Sequence, residues 1–303
     1  MSNTVFAWRN WCTEVGTLSV VTGSFESEAP ASNMLTPQTG RVAIAEPGAA
    51  AFTVTFAGGL DSPEVGRPVH MIALLNHNIV DMPTAGSFDI GISSVGGGGY
   101  APAGFPRPEL FMVSDGQFQS HLFWITPDSN PVTGYDRDEV TQIAVGIGAN
   151  LLCGRVDPIT GEVTPEPFRC GGIWAGPIWQ PDRGLRHASF TSGIVEARRG
   201  ATSIGGQYYP LPQARRRRVS ADLTLTSETE TFRLSGDGPG LQQMAAWCGT
   251  SRPLIVIPDV SDPELIYTQG VYGYLDGDIS WSHFDTSAKE RQYRGSFSIT
   301  EAL

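Results

Sequence analysis

Residues 70–80 read HMIALLNHNIV, and this stretch decides the fold. Met71 to Leu75 are uniformly apolar, and the run stops at Asn76-His77-Asn78. Such a run is too short to span a bilayer, which takes about 20 residues as a helix. It is also too uniform for a half-exposed strand, whose side chains alternate between two faces. It therefore reads as a strand buried on both faces. The polar triplet reads as the turn that closes it, because asparagine tolerates left-handed backbone angles and hydrogen-bonds its own backbone.

Outward from this strand, residues 51–56, AFTVTF, alternate cleanly. Phe52, Val54 and Phe56 share one face, with Thr53 and Thr55 on the other. Residues 18–21, 88–92, 121–125 (HLFWI), 142–147 and 151–153 are further strand candidates. GGIWAGPIWQP at 171–181 ends the region with two tryptophans framed by glycine and proline. About seven or eight short strands, regular turns and almost no helical periodicity predict a β-sandwich or jelly roll. Its end is placed at residue 182, giving domains 1–182 and 183–303. Residues 93–108, SSVGGGGYAPAGFPRP, predict a long loop without regular structure. Such a loop either contacts partners or is ordered only by its neighbours.

The second domain reads as an antiparallel β domain with one helix. In VSADLTLT, Val219, Ala221, Leu223 and Leu225 alternate with polar residues. Leu241, Met244, Ala245 and Cys248 fall at helical spacing, with Gly249 at the C-terminal cap position. PLIVIP at 253–258 is a short buried strand closed by prolines. Residues 232–234 continue the sheet or form its return. Asp276-Gly277 is a hairpin signal between segments 265–275 and 277–284. Tyr293, Phe297 and Ile299 share one face of a final strand.

Composition narrows the function. The formal net charge is −11, against general nucleic-acid binding, which needs a basic face. With 17% charged residues, 36 Gly and 22 Pro, the balance is that of a turn-rich β protein or of one that hides surface against neighbours. Lys289 is the single lysine. No basic segment followed by an apolar core opens the chain and no apolar run would span a bilayer, so synthesis in a cytosol without membrane insertion is expected. The cysteines Cys12, Cys153, Cys170 and Cys248 are scattered, and buried reduced thiols are expected of them. Cys153 and Cys170 are candidates for paired strands, and whether they bond is left open.

No catalytic motif emerges: there is no nucleophile elbow, phosphate-binding loop, dinucleotide fingerprint or zinc helix. The acid pairs Asp136/Asp138 and Asp276/Asp278 lie in turn-like sequence, where aspartate serves local roles. His70 is expected at a strand edge. His77 is either a base or ligand, or a turn side chain bonded to backbone, and the second is preferred. Arg215, Arg216, Arg217 and Arg218 form the most charged spot. On a strand they project to both faces, which suits a subunit contact or simply a solvated strand start.

Taken together, ALLNHNI, HLFWI, IWAGPIWQP, GGQYYP, the arginine run with VSADLTLT, SRPLIVIPD, VYGYLDGDISW and the terminal ITEAL resemble minor and distal tail proteins of long-tailed bacteriophages. That resemblance implies a galactose-binding-like (discoidin-like) sandwich followed by a distal-tail or tail-tube-like domain. It further implies a virion protein joining tail tube to tip, in a ring of about three or six copies. The implied partners are tube, hub and tape-measure proteins, with DNA passing through the lumen and no cofactor. An enzyme is not expected. The alternative is a carbohydrate-binding module for host attachment, with Asn76, His77, Asn78 and Tyr100 as the glycan or partner loop. Trp124, Trp174 and Trp179 are suited to stacking on sugar but read first as core.

Overall fold

The computed structural model describes residues 3–56, 66–81, 87–95, 99–100, 112–114, 117–118, 121–126, 128–129, 135–157, 159–186, 189–196, 199–202, 208–211, 215–232, 240–262, 266, 269–285 and 291–302. The protein is mainly β, built from antiparallel sheets. It divides into two compact units that interleave along the chain. The larger comprises Phe6–Ile178 with Asp259–Gly270; the smaller comprises Met1–Val5, Trp179–Pro258 and Val271–Leu303.

In the larger unit, Met71–Leu75 is the middle strand of a three-stranded sheet, between His121–Ile125 and Gly172–Gly176. All five of its residues are buried, as a two-faced strand requires. A five-stranded sheet runs Gly16–Thr22, Ala50–Phe56, Val140–Ile147, Phe88–Ser94 and Gly99–Tyr100. Phe52, Val54 and Phe56 are buried, while the threonines between them are not. The sheets share a core. Phe88 of one stacks on Trp124 of the other, with centroids 5.7 Å apart and planes 16° from parallel. Fully burying each such side chain is worth about 1.5–3 kcal/mol.

Asn10 fastens an N-terminal helical turn, Trp11–Glu14, to this core. Its Oδ1 accepts from the N–H groups of Cys12 and Ala175, and its Nδ2 donates to the Ile173 carbonyl. Two of the glycines of GGIWAGP, Gly171 and Gly176, are required by backbone approach. A Cβ on Gly176 would lie 1.8 Å from the Arg9 carbonyl oxygen, and one on Gly171 would lie 2.1 Å from that of Thr39.

Two expectations fail in this unit. Residues 93–108 are not wholly irregular: Ser93 and Ser94 end a strand, and Gly99–Tyr100 pairs back on Ile92 and Ser93. Gly99 can join a ladder because the pairing uses only backbone N–H and C=O groups, which glycine carries like any other residue. Residues 96–98 and 101–108 lie outside the described residues. Cys153 and Cys170 are not on paired strands. Cys153 sits in Leu152–Val156, which pairs with Val163–Pro165 and Ile79–Asp81, whereas Cys170 pairs with Ala43. All four cysteines are free and buried. Burial pushes the Cys153 and Cys170 thiols up to about 12, against weak hydrogen bonds from Cys170 to the Gly172 and Leu75 carbonyls.

The smaller unit has a sheet in the order Leu254–Ile257, Val271–Leu275, Gln292–Glu301, Arg215–Asp222, Thr191–Glu196. All four residues of Leu254–Ile257 are buried. Gln292–Glu301 buries Tyr293, Gly295, Phe297, Ile299 and Glu301 on one face. The helix Leu241–Cys248 buries Leu241, Met244 and Cys248 and ends at Gly249 with φ 48°, a left-handed value that suits glycine.

Two readings are corrected here. Phe232 does not continue the sheet: it ends a second helix, Glu228–Phe232. A capping box starts that helix, with the Glu230 N–H donating to Ser227 Oγ and the Ser227 N–H donating to Glu230 Oε2. Residues 233–234 lie outside the described residues. Nor is Asp276-Gly277 a hairpin. Val271–Leu275 and Ser280–Asp285 both pair with Gln292–Glu301, not with each other. The Asp276 N–H donates to the Ser298 carbonyl and its carboxylate accepts from Ser298 and Thr300 hydroxyls. These bonds hold the segment along one partner strand as an irregular bulge.

Gly176→Ala is expected to lower the unfolding free energy by about 2 kcal/mol or more, since a backbone carbonyl must give way. Gly193→Ala meets nothing within 4 Å and should fall within about 0.5 kcal/mol of the parent. Urea denaturation of both variants checks the contrast.

Candidate assembly interface

Thr191–Glu196 is the outermost strand of the smaller unit's sheet among the described residues, pairing with Arg215–Asp222 on its inner side. Thr191 to Val195 are all exposed, with Ile194 at 71% and Val195 at 40%. β-branched residues make this segment a good strand, but nothing among the described residues covers its free edge. An exposed edge of this kind offers unpaired N–H and C=O groups to another chain.

The neighbouring strand carries the arginines, and alternation divides them. Arg217 shares its face with the buried Val219 and Ala221, while Arg216 and Arg218 share the other with Ser220. Arg217 donates from Nε and Nη2 to Glu301 Oε1 at 3.0 and 2.8 Å, and its backbone N–H donates to Oε2. Glu301 is buried, and this charge-assisted pair offsets part of the cost of taking its carboxylate out of water. Arg218 donates to Asp276 Oδ2 at 2.8 Å and to Ser298 Oγ at 3.0 Å. Burial raises the Asp276 carboxyl. The hydrogen bonds from Thr300 and Ser298 and the charge of Arg218 outweigh that and hold it below the usual carboxylate range. Arg216 is exposed and has no ion-pair partner among the described residues. For Arg215 only the backbone, paired with Glu196, is described.

Among the turn residues expected to contact a glycan or partner, His77 and Asn78 are buried and Asn76 is half-buried, and all three bond within their own unit. Asn76 takes φ 51°, the left-handed angle expected of it, and its Nδ2 donates to the Thr39 carbonyl. His77 is 6% exposed and its Nδ1 accepts from the Ile79 N–H, which is the backbone-bonded reading. Asn78 donates to the Pro167 carbonyl and accepts from the Arg169 N–H. Tyr100 is described only by its backbone pairing with Ile92. Trp124, Trp174 and Trp179 are buried. His70 Nε2 lies 2.6 Å from Asp138 Oδ1. Asp136 serves its turn, accepting from the Asp138 N–H and the Ser129 hydroxyl. No cluster of three metal-ligating side chains occurs among the described residues.

Sequence reasoning found the arginines but missed what decides their roles. Glu301 and Asp276 lie far along the chain from Arg217 and Arg218, so no local spacing marks them. The exposure of Ile194 is also invisible locally, because IV reads as core in any strand.

Arg217→Ala is expected to cost about 2–3 kcal/mol by removing the charge-assisted donors to the buried Glu301 carboxylate, whereas Arg216→Ala should cost under about 0.5 kcal/mol. Equilibrium denaturation reads both. His77 gives a pH dependence. Burial, and next the nearby His121 imidazole, lower its pKa from 6.5 to about 3. The unfolded chain therefore binds the proton first, so stability is complete above about pH 6.5 and falls as pH drops toward 3. About 2 kcal/mol should be lost between pH 7.5 and 5 on this account. His77→Asn, which keeps an acceptor oxygen near the Ile79 N–H, should flatten that slope in denaturation curves taken across the range.

No family model and no curated protein matches this chain. Among solved structures, one described as CpGH89CBM32-4 (seleno-methionine labeled), produced by Clostridium perfringens, superposes with a TM-score of 0.34 at 11% identity, over 56% of this chain and 100% of that chain. The same module in complex with glcNAc-alpha-1,4-galactose superposes with a TM-score of 0.34 at 12% identity, over 55% of this chain and 92% of that chain. Superpositions this loose carry no argument about ligand or partner.

Proposed function

We propose that this chain is a structural subunit of a long-tailed bacteriophage tail tip, a distal tail protein or the minor tail protein beside it. The observation that carries the proposal is the exposed outer strand Thr191–Glu196, with Ile194 and Val195 unburied at its surface. An edge left open in this way is a liability in a lone molecule and a joint in an assembly. When the same edge meets a different surface on the next copy, the contact is heterologous and closes into a ring if the rotation permits. The motifs resembling tail proteins point the same way, and an acidic chain of net −11 suits a lumen through which DNA slides without sticking. Catalysis is not part of this reading. In the carbohydrate-binding alternative, stacking on sugar falls to residues other than Trp124, Trp174 and Trp179, which are all buried.

Light scattering of the purified protein across concentration, with negative-stain images of the same sample, tests this. Closed rings of about three or six copies are expected. Ile194→Lys, which places a charge on the open edge, should shift the population toward single chains without loss of fold. A strict monomer at high concentration that binds on a glycan array would overturn the assembly reading in favour of the alternative. Turnover of cell-wall substrate would overturn both.

A further inference from the structure

Six large apolar side chains are exposed among the described residues: Val20, Val21, Val95, Ile159, Ile194 and Val195. Four of the six stand on just two strands, and each of those strands is the outermost of its sheet among the described residues. Ile194 and Val195 belong to Thr191–Glu196 in the smaller unit. Val20 and Val21, 43% and 61% exposed, belong to Gly16–Thr22, which ends the five-stranded sheet of the larger unit. Thr17, Ser19 and Thr22 of that strand are exposed as well, and no described strand pairs with its outer side.

Neither edge carries the usual protections. Residues 16–22, GTLSVVT, and residues 191–195, TSGIV, hold no charge and no proline, which are what keep a free edge from recruiting another strand. One irregularity is present. Val20 pairs with Phe52 and Thr22 with Ala51, so Val21 is an extra residue in the ladder. That bulge leaves residues 16–20 as a regular run, equal in length to residues 191–195.

Strand geometry selects the occupant. Ile194 lies opposite Arg217 and Val195 opposite Arg216, so these two side chains project to opposite faces of the sheet. A flat surface would cover one and leave the other in water. A strand laid alongside reaches both, because its own side chains alternate. On the other edge Leu18 and Val20 share the face of Val54 and Phe52, with Thr17 and Ser19 on the reverse. If Thr191–Glu196 paired with itself on a second copy, Val20 and Val21 would stay exposed. Pairing it with the other open edge brings all four side chains to one joint.

We infer that Thr191–Glu196 of one copy adds as a strand to Gly16–Thr22 of the next, the two open edges being the two halves of one head-to-tail joint. The inference rests on the assembly reading and names the surface that the outer strand meets.

The test is sedimentation velocity of the full chain at a concentration where the parent assembles, for Ile194→Lys and Val21→Lys, alone and mixed in equal amounts. Circular dichroism confirms the fold of each. Each variant places a charge on one edge only, and each alone should weaken self-association about tenfold or more. The mixture should form pairs and nothing larger, because the intact outer strand of Val21→Lys meets the intact Gly16–Thr22 of Ile194→Lys. Ser19→Lys, at an exposed position of the same strand, takes the place of Val21→Lys if that variant loses its fold. A folded variant of either edge that assembles like the parent overturns this joint and leaves assembly as such intact. Dissociation of both variants with no pairs in the mixture also overturns the joint. No self-association of the parent overturns the joint and the assembly reading together.

Discussion

Met71–Leu75 has no side that water touches, and the larger unit is arranged around that constraint. A strand covered on both faces needs a partner strand at each edge and a layer above and below. The flanking strands His121–Ile125 and Gly172–Gly176 satisfy its hydrogen bonds, and apolar side chains from the five-stranded sheet complete the core. The strand must also stop without exposing its end. Asn76 turns the chain with a left-handed angle, and Gly171 comes close enough to donate to the Leu75 and Asn76 carbonyls. His77 through Nδ1, and Asn78 through its side-chain amide, then bond neighbouring backbone. The polar triplet is thus part of the core's closure, with His77 and Asn78 buried and Asn76 half-buried.

What the sequence made legible was whatever repeats at short range. AFTVTF, PLIVIP and the helix at Leu241–Cys248 follow from period alone, since burial of one face or two leaves a mark every second or every third to fourth residue. Asp276-Gly277 misleads because the residues that fit a tight turn also fit a bulge. The choice is made by Ser298 and Thr300, some 20 residues on, which accept the segment alongside them. Ser227 and Glu230 did carry a local sign of a helix start, at the spacing of a capping box, and the neighbouring strand pattern masked it. The interleaving of the two units, with residues 259–270 crossing to the larger one, depends on distant contacts and leaves no local pattern.

The same division holds at the assembly edge. Two-faced projection of the four arginines was legible from strand geometry, but their unequal fates were not. One faces a buried carboxylate, one joins a hydroxyl and carboxylate network, and one remains open to solvent. Arginine serves each setting because its planar fork makes two bonds at once, as it does to Glu301, and because its charge persists at any working pH. A lysine could not replace Arg217 with the same geometry.

The four free thiols give the protein a built-in set of clocks. Each is buried, and burial pushes each thiol above its ordinary value, so the reactive thiolate is scarce while the fold is closed. An alkylating reagent can reach them only when the surrounding structure opens, so the labelling rate measures opening rather than chemistry. Cys12, Cys153 and Cys170 belong to the larger unit and Cys248 to the smaller. Mass spectrometry of the labelled peptides therefore times the breathing of each unit separately, with no substitution introduced. Loss of labelling at Cys248 on oligomerisation would mark the smaller unit as the one that neighbours hold shut.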